Sequence, residues 1–130
     1  MAKSKTITRH SIDYNPIDFE PIRKVALTFT GTEDSTSHEG TPSIKLRGKL
    51  LCRLHDHGRF IPIQVGFENR QLLLEKYPDE FTVPPHFTNY PYIAMWVPQT
   101  RVSLLKEVVE LAWRQLASKK QISEWEKAQR

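Results

Sequence analysis

At 130 residues, with 38% apolar and 10% aromatic side chains, the chain is long enough for one hydrophobic core and too short for two. A charged fraction of 26% and a mean hydropathy of −0.52 exclude a disordered polar tract, and no run approaches the roughly 20 apolar residues that cross a bilayer. The net charge of +4 does not describe the body of the chain: residues 11–118 hold 12 Lys and Arg against 13 Asp and Glu, so the basic excess lies in Lys3, Lys5 and Arg9 at one end and Lys119, Lys120, Lys127 and Arg130 at the other.

Residues 1–14 show no periodicity and read as a mobile basic arm, without the apolar run of a secretory signal. Cys52 is the only cysteine, which excludes an internal disulfide and a cysteine-clustered zinc site and suits the reducing cytoplasm. The single domain is expected over residues 15–120. Its first helix is capped by Asp18 and carries Ile22, Val25, Ala26 and Phe29 on one stripe, with Gly31 as a left-handed stop. The polar stretch TEDSTSHEGTPS that follows reads as a loop.

From Ser43 the period changes to two, and three strands of a meander run through SIKLR, KLLCRL and RFIPIQV. A three-residue turn, Arg47 to Lys49, sets Leu46 opposite Leu50, and a four-residue second turn sets Leu54 opposite Arg59 and Cys52 opposite Ile61. That register gathers Ile44, Leu46, Leu50, Cys52, Leu54, Ile61, Ile63 and Val65 on one face. Lys45, Leu51, Arg53, Phe60 and Gln64 share the other, with Arg47 at its edge. A two-residue Arg47-Gly48 turn would mix apolar and basic side chains on both faces.

Asn69 opens a helix through Leu72, Leu73 and Tyr77 that Pro78 closes. One or two strands lie in FTVPPHFTNYPYIAMWVP, the firmer from Tyr92 to Val97. A helix from near Ser103 presents Leu105, Val108, Val109, Ala112 and Leu116. Residues 121–130 form a charged tail or a short helix, capped by Ser118 with Gln121 or by Ser123 with Glu126, that presents Ile122 and Trp125. The fold class is α+β: an antiparallel sheet of the meander plus one or two strands, with helices on one face.

The Thr30-Gly31 helix end, the Pro42 strand, the Arg47-Gly48-Lys49 turn, the Lys76-Tyr77-Pro78 helix end and the closing AWRQLASKK at Ala112 to Lys120 resemble the MmcQ/YjbR proteins across about residues 17–120. The resemblance implies a YjbR/CyaY-like fold, similar to frataxin-like and secretion-chaperone-like proteins, and DNA binding in which hairpins act as wings.

No Gly-rich phosphate loop, GxSxG elbow or HExxH motif is present, so no catalytic residue and no cofactor is expected. His55-Asp56-His57, with His86 or His38 as a further ligand, is the nearest approach to a metal site, and its residues read instead as a solvated turn. A non-enzymatic binding function is expected, with one leading surface and one alternative. Lys45, Arg47, Lys49, Arg53 and Phe60 on the outer meander face suit DNA, because cations neutralise phosphates and an aromatic ring stacks on a base. Alternatively His86, Phe87, Tyr90 and Tyr92, stiffened by prolines, suit a protein or peptide groove of an adaptor or chaperone-like module. Trp96 and Trp113 are expected in packing, the membrane is not a partner, and a monomer is favoured.

Overall fold

The computed structural model describes residues 14–130. Four helices, α1 (Glu20–Ala26), α2 (Phe67–Lys76), α3 (Val102–Leu116) and α4 (Lys119–Ala128), accompany six strands: β1 (Thr32–Thr36), β2 (Pro42–Leu46), β3 (Lys49–Arg53), β4 (Phe60–Gln64), β5 (Phe81–Thr82) and β6 (Tyr92–Trp96). The strands form one antiparallel sheet in the order β1-β2-β3-β4-β6-β5, so the α+β class read from the sequence is the one observed. None of the described helices is long and apolar enough to cross a membrane.

The core lies between one sheet face and the helices. It joins Phe19, Ile22 and Phe29 from the first helical segment to Ile44, Leu46, Ile61 and Ile63 from the sheet and to Leu105, Val108, Val109 and Trp113 from α3. Trp113 is wholly buried and its indole N–H donates to the Thr30 carbonyl at 2.8 Å, so the largest core ring leaves no polar atom unpaired. α4 begins with the Ser118–Gln121 capping box and lays Trp125 on Phe29 and Trp113, with ring centroids 5.6 and 5.4 Å apart. The last residues are thus a packed helix. The expected arm lies outside the described residues except for Tyr14, which packs against the core.

Several expectations are corrected. Asn15 accepts from the Ile17 N–H and caps a 3₁₀ turn (Pro16–Phe19) that leads into α1; Asp18 lies inside that turn. TEDSTSHEGTPS is no simple loop, because its first residues form β1. A polar segment becomes an edge strand when its backbone pairs with β2, and its charges blunt the free edge. Asn69 lies within α2 and donates to the Val65 carbonyl, while Gly66 precedes the helix. Leu72 is exposed; Leu73 alone of α2 is fully buried.

The hairpin register is the correction that matters for function. The β2–β3 turn is the two-residue one, with φ of +55° at Arg47 and +77° at Gly48, as a type I′ turn requires, and it sets Leu46 opposite Lys49. The expected mixing of faces is prevented by a β-bulge: Lys45 pairs with Leu50 and Ile44 with Cys52, so Leu51 is the extra residue and both Leu51 and Cys52 enter the core. Leu50, expected inside, is on the outer face, and Leu51 has exchanged places with it. At the next turn Cys52 stands opposite Ile63 rather than Ile61. A slip of two residues preserves the faces, so Ile61, Ile63 and Val65 remain buried.

Gly31 sits at φ +81°, and a Cβ there would come 2.7 Å from the Gln121 amide and 3.0 Å from Leu46. Gly31→Ala is expected to lower stability by roughly 2 kcal/mol, since left-handed strain and a close approach coincide at this point. A chemical-denaturation midpoint equal to that of the wild type would show that α4 and the α1–β1 turn do not need the glycine.

Candidate functional site

The face of the sheet away from the helices is covered in part by the β5–β6 connection. Along β4 and β6, Phe60 pairs with Trp96, Pro62 with Ala94 and Gln64 with Tyr92, all projecting away from the core. Phe60, Pro62 and Ala94 are nevertheless buried, because the connection folds back over this face. A single 3₁₀ turn (Pro85–Phe87) places Phe87 with its ring 6.1 Å from Phe60 and 5.9 Å from Tyr92.

Arg70 of α2 holds this connection in place. Its Nη1 donates to the carbonyls of Tyr90 (2.7 Å), Phe87 (3.0 Å) and Tyr92 (3.3 Å), and its Nη2 to that of Thr88 (3.1 Å). A planar guanidinium directs several donors from a fixed fork, so one side chain fixes the course of residues 87–92. Nothing in the sequence singled out Arg70. Its partners are backbone carbonyls 17 to 22 residues away, and backbone acceptors leave no trace in side-chain patterns.

Between the connection and the sheet lies a pocket of about 310 Å³ lined by Leu50, Arg53, Pro62, His86, Phe87, Tyr90 and Tyr92. All four residues of the expected aromatic groove are here, joined by one cation of the expected DNA-binding set. The rest of that set disperses. Lys45 is on the same face as Arg53 but pairs across the strands with Glu33. Arg47 reaches to the other side and donates to the Leu116 carbonyl at 3.1 Å, closing the carboxyl end of α3. Lys49, opposite Leu46, leaves the hairpin from the helix-covered side. Phe60 lies on the outer face beneath other rings, buried and unable to stack on a ligand. Trp96, expected in packing, is 42% exposed with its ring edge against Phe60.

Arg53 is half-buried, and burial lowers its pKa, opposed by the charges of Asp56 and Tyr92. Among the described residues, two buried side-chain polar atoms have no hydrogen-bond partner: Arg53 Nη1 and Ser43 Oγ. Ser43 and Arg53 face each other across β2 and β3, so both orphaned groups share the open side of the sheet.

At the rim, the His55 ring lies 3.9 Å from that of His57 and 6.2 Å from that of His86, and its Nδ1 is 2.8 Å from Asp56 Oδ1. Burial lowers the His55 pKa to about 4, His57 adding to the effect and Asp56 opposing it. Among the described residues, no group of three or more His, Cys, Asp or Glu side chains could hold a metal ion. Cys52 is fully buried, which raises its pKa far above that of a reactive thiol. Comparison with protein-family models, curated proteins and solved structures gives no match.

Two outcomes test this description. Arg70→Met removes the four guanidinium donations to the carbonyls of Phe87, Thr88, Tyr90 and Tyr92, so amides of residues 87–92 should exchange with solvent at least about tenfold faster while α3 stays protected; unchanged exchange would show that the backbone bonds of the connection hold it without Arg70. His55 binds its proton more weakly in the folded chain than in the unfolded one. Stability should therefore fall as pH drops from about 6.5 towards 4. With the ring 15% accessible and Asp56 adjacent, roughly 1–2 kcal/mol of that loss should disappear in His55→Leu. Parallel pH profiles for the two proteins would assign the loss to other groups.

Proposed function

We propose that this protein is a non-enzymatic recognition module of the MmcQ/YjbR type that binds a peptide in the open-face pocket. One observation carries the reading: a concave, mostly apolar site with a few convergent polar groups, held by Arg70 before any ligand arrives. A wall already in place does not have to be ordered on binding, which spares part of the entropy that association loses. Tyr90, 58% exposed, and Tyr92 supply rigid ring surface with hydroxyls that reach polar groups of a partner. The single buried Cys52 suits work in the reducing cytoplasm.

DNA binding by the meander has less support than its sequence suggested. A duplex contact gains affinity from each phosphate neutralised, and Arg47 is committed to α3 while Lys49 points elsewhere. One observation favours single-stranded nucleic acid as a second reading: Lys45 and Arg53 share the open face with the exposed rings of Trp96 and Tyr90.

The test pans a displayed library of short random peptides on the wild-type protein and measures affinities for the peptides recovered. Phe87→Ala and Tyr90→Ala should weaken them by about tenfold or more, and Arg47→Ala and Lys49→Ala should leave them unchanged. The reading fails if no peptide is recovered while oligodeoxythymidine binds with a steep salt dependence that Arg53→Ala and Lys45→Ala abolish.

A further inference from the structure

The pocket is unevenly supplied with polar groups. Its floor and walls are carbon surface from Leu50, Pro62, Phe87 and Tyr92, and its one cation is Arg53, whose Nη1 is buried without a partner. The orphaned Ser43 hydroxyl faces Arg53 across the strands. A guanidinium only donates, and Arg53 is the charged side chain lining the pocket, so the site calls for a ligand group that accepts. Asp56, the nearest acid in sequence, is turned to His55 instead. Lys45, the neighbouring cation, already faces Glu33.

Charge and size narrow the class. One guanidinium pairs with one carboxylate in a two-pronged arrangement, whereas a phosphate monoester carries nearly two charges and would leave one of them uncompensated in an apolar pocket. A volume of about 310 Å³ is at the small end for a ligand site, room for one side chain and a terminal group. A mid-chain peptide segment would bring amides on both sides into a wall with few partners, and each buried amide left unpaired is costly. A chain-terminal residue brings its carboxylate and its side chain from a single Cα.

We infer that the pocket anchors the carboxyl terminus of a peptide whose last residue is apolar or aromatic, with the terminal carboxylate on Arg53 and the side chain against Leu50, Pro62, Phe87 and Tyr92. This assignment rests on the peptide reading above and adds which end of the peptide enters and what it carries.

The experiment compares two forms of the same labelled pentapeptides, ending in Leu, Phe or Tyr, with a free acid or with an amide at the carboxyl terminus. The free acids should bind by fluorescence anisotropy and the amides about tenfold or more weakly, in wild-type protein that needs no substitution. Arg53→Gln should remove the difference between the two forms, while Tyr90→Ala weakens both and keeps the difference. Equal affinities of acid and amide would overturn the carboxylate assignment and leave the peptide reading standing. Phenylacetate binding as tightly as the pentapeptides would overturn the peptide as source in favour of a small carboxylic acid. Binding of oligodeoxythymidine with no binding of either peptide form would overturn both.

Discussion

The register of one hairpin decides which side chains reach the open face of the sheet. The two-residue turn at Arg47 and Gly48 gives a tight reversal whose twist matches the strands, but continued as a regular ladder it would turn core residues of β3 to the open side. The extra residue at Leu51 resolves the conflict, placing Leu51 and Cys52 together against Ile44 and returning the rest of β3 to phase. Leu50 then appears on the open face as a floor for the pocket and Arg53 as its cation. Leu51 and Cys52 are both fully buried, and burying a leucine side chain alone stabilises by roughly 1.5–3 kcal/mol. Core packing therefore fixes which cation lines the pocket.

Much of the fold could be read from periodicity. The α3 stripe, the three meander strands, the left-handed Gly31 and the Ser118–Gln121 box involve neighbours in sequence whose side chains declare their environment. The features that were missed have other causes. β1 is stabilised by backbone pairing at an edge, where polar side chains are compatible with a strand and give no alternation. The bulge arises from a contest between turn geometry and core composition, and a count of alternating residues takes only the second into account. Both candidate residue sets were legible as suitable chemistry, but sequence distance hid that one member of the first belongs with the second: Arg53 and Tyr92 are on the two strands that flank β4.

Arg70 shows how a site can be rigid without being buried. Residues 87–91 lie outside the ladder, between the 3₁₀ turn and the start of β6, and most of their carbonyls need donors from elsewhere. Charge-assisted bonds from one guanidinium reach three of them and that of Tyr92 at once. The donors of that guanidinium are thereby committed to structure, as those of Arg47 are at the end of α3; each keeps its charge but has fewer N–H groups to offer an anion directly. Counting Lys and Arg overstates the number of cations free to contact a ligand for that reason. What remains near the pocket is a half-buried Arg53 with an orphaned donor.

That placement sets affinity against selectivity. A guanidinium drawn partly out of water has lost hydration that no protein group restores, and the lowered pKa of Arg53 expresses the same deficit. An anion that paired with Arg53 in the pocket would do so in a medium of reduced dielectric, and that pairing would be stronger than one between exposed charges. A neutral ligand of the same shape would gain the apolar contacts and leave the donor unpaired. Discrimination by an unsatisfied polar group is steeper than discrimination by one more methylene, because the wrong ligand leaves the deficit in place. On the proposed peptide reading, the aromatic walls would provide the affinity and Arg53 would determine which ligands are able to use it.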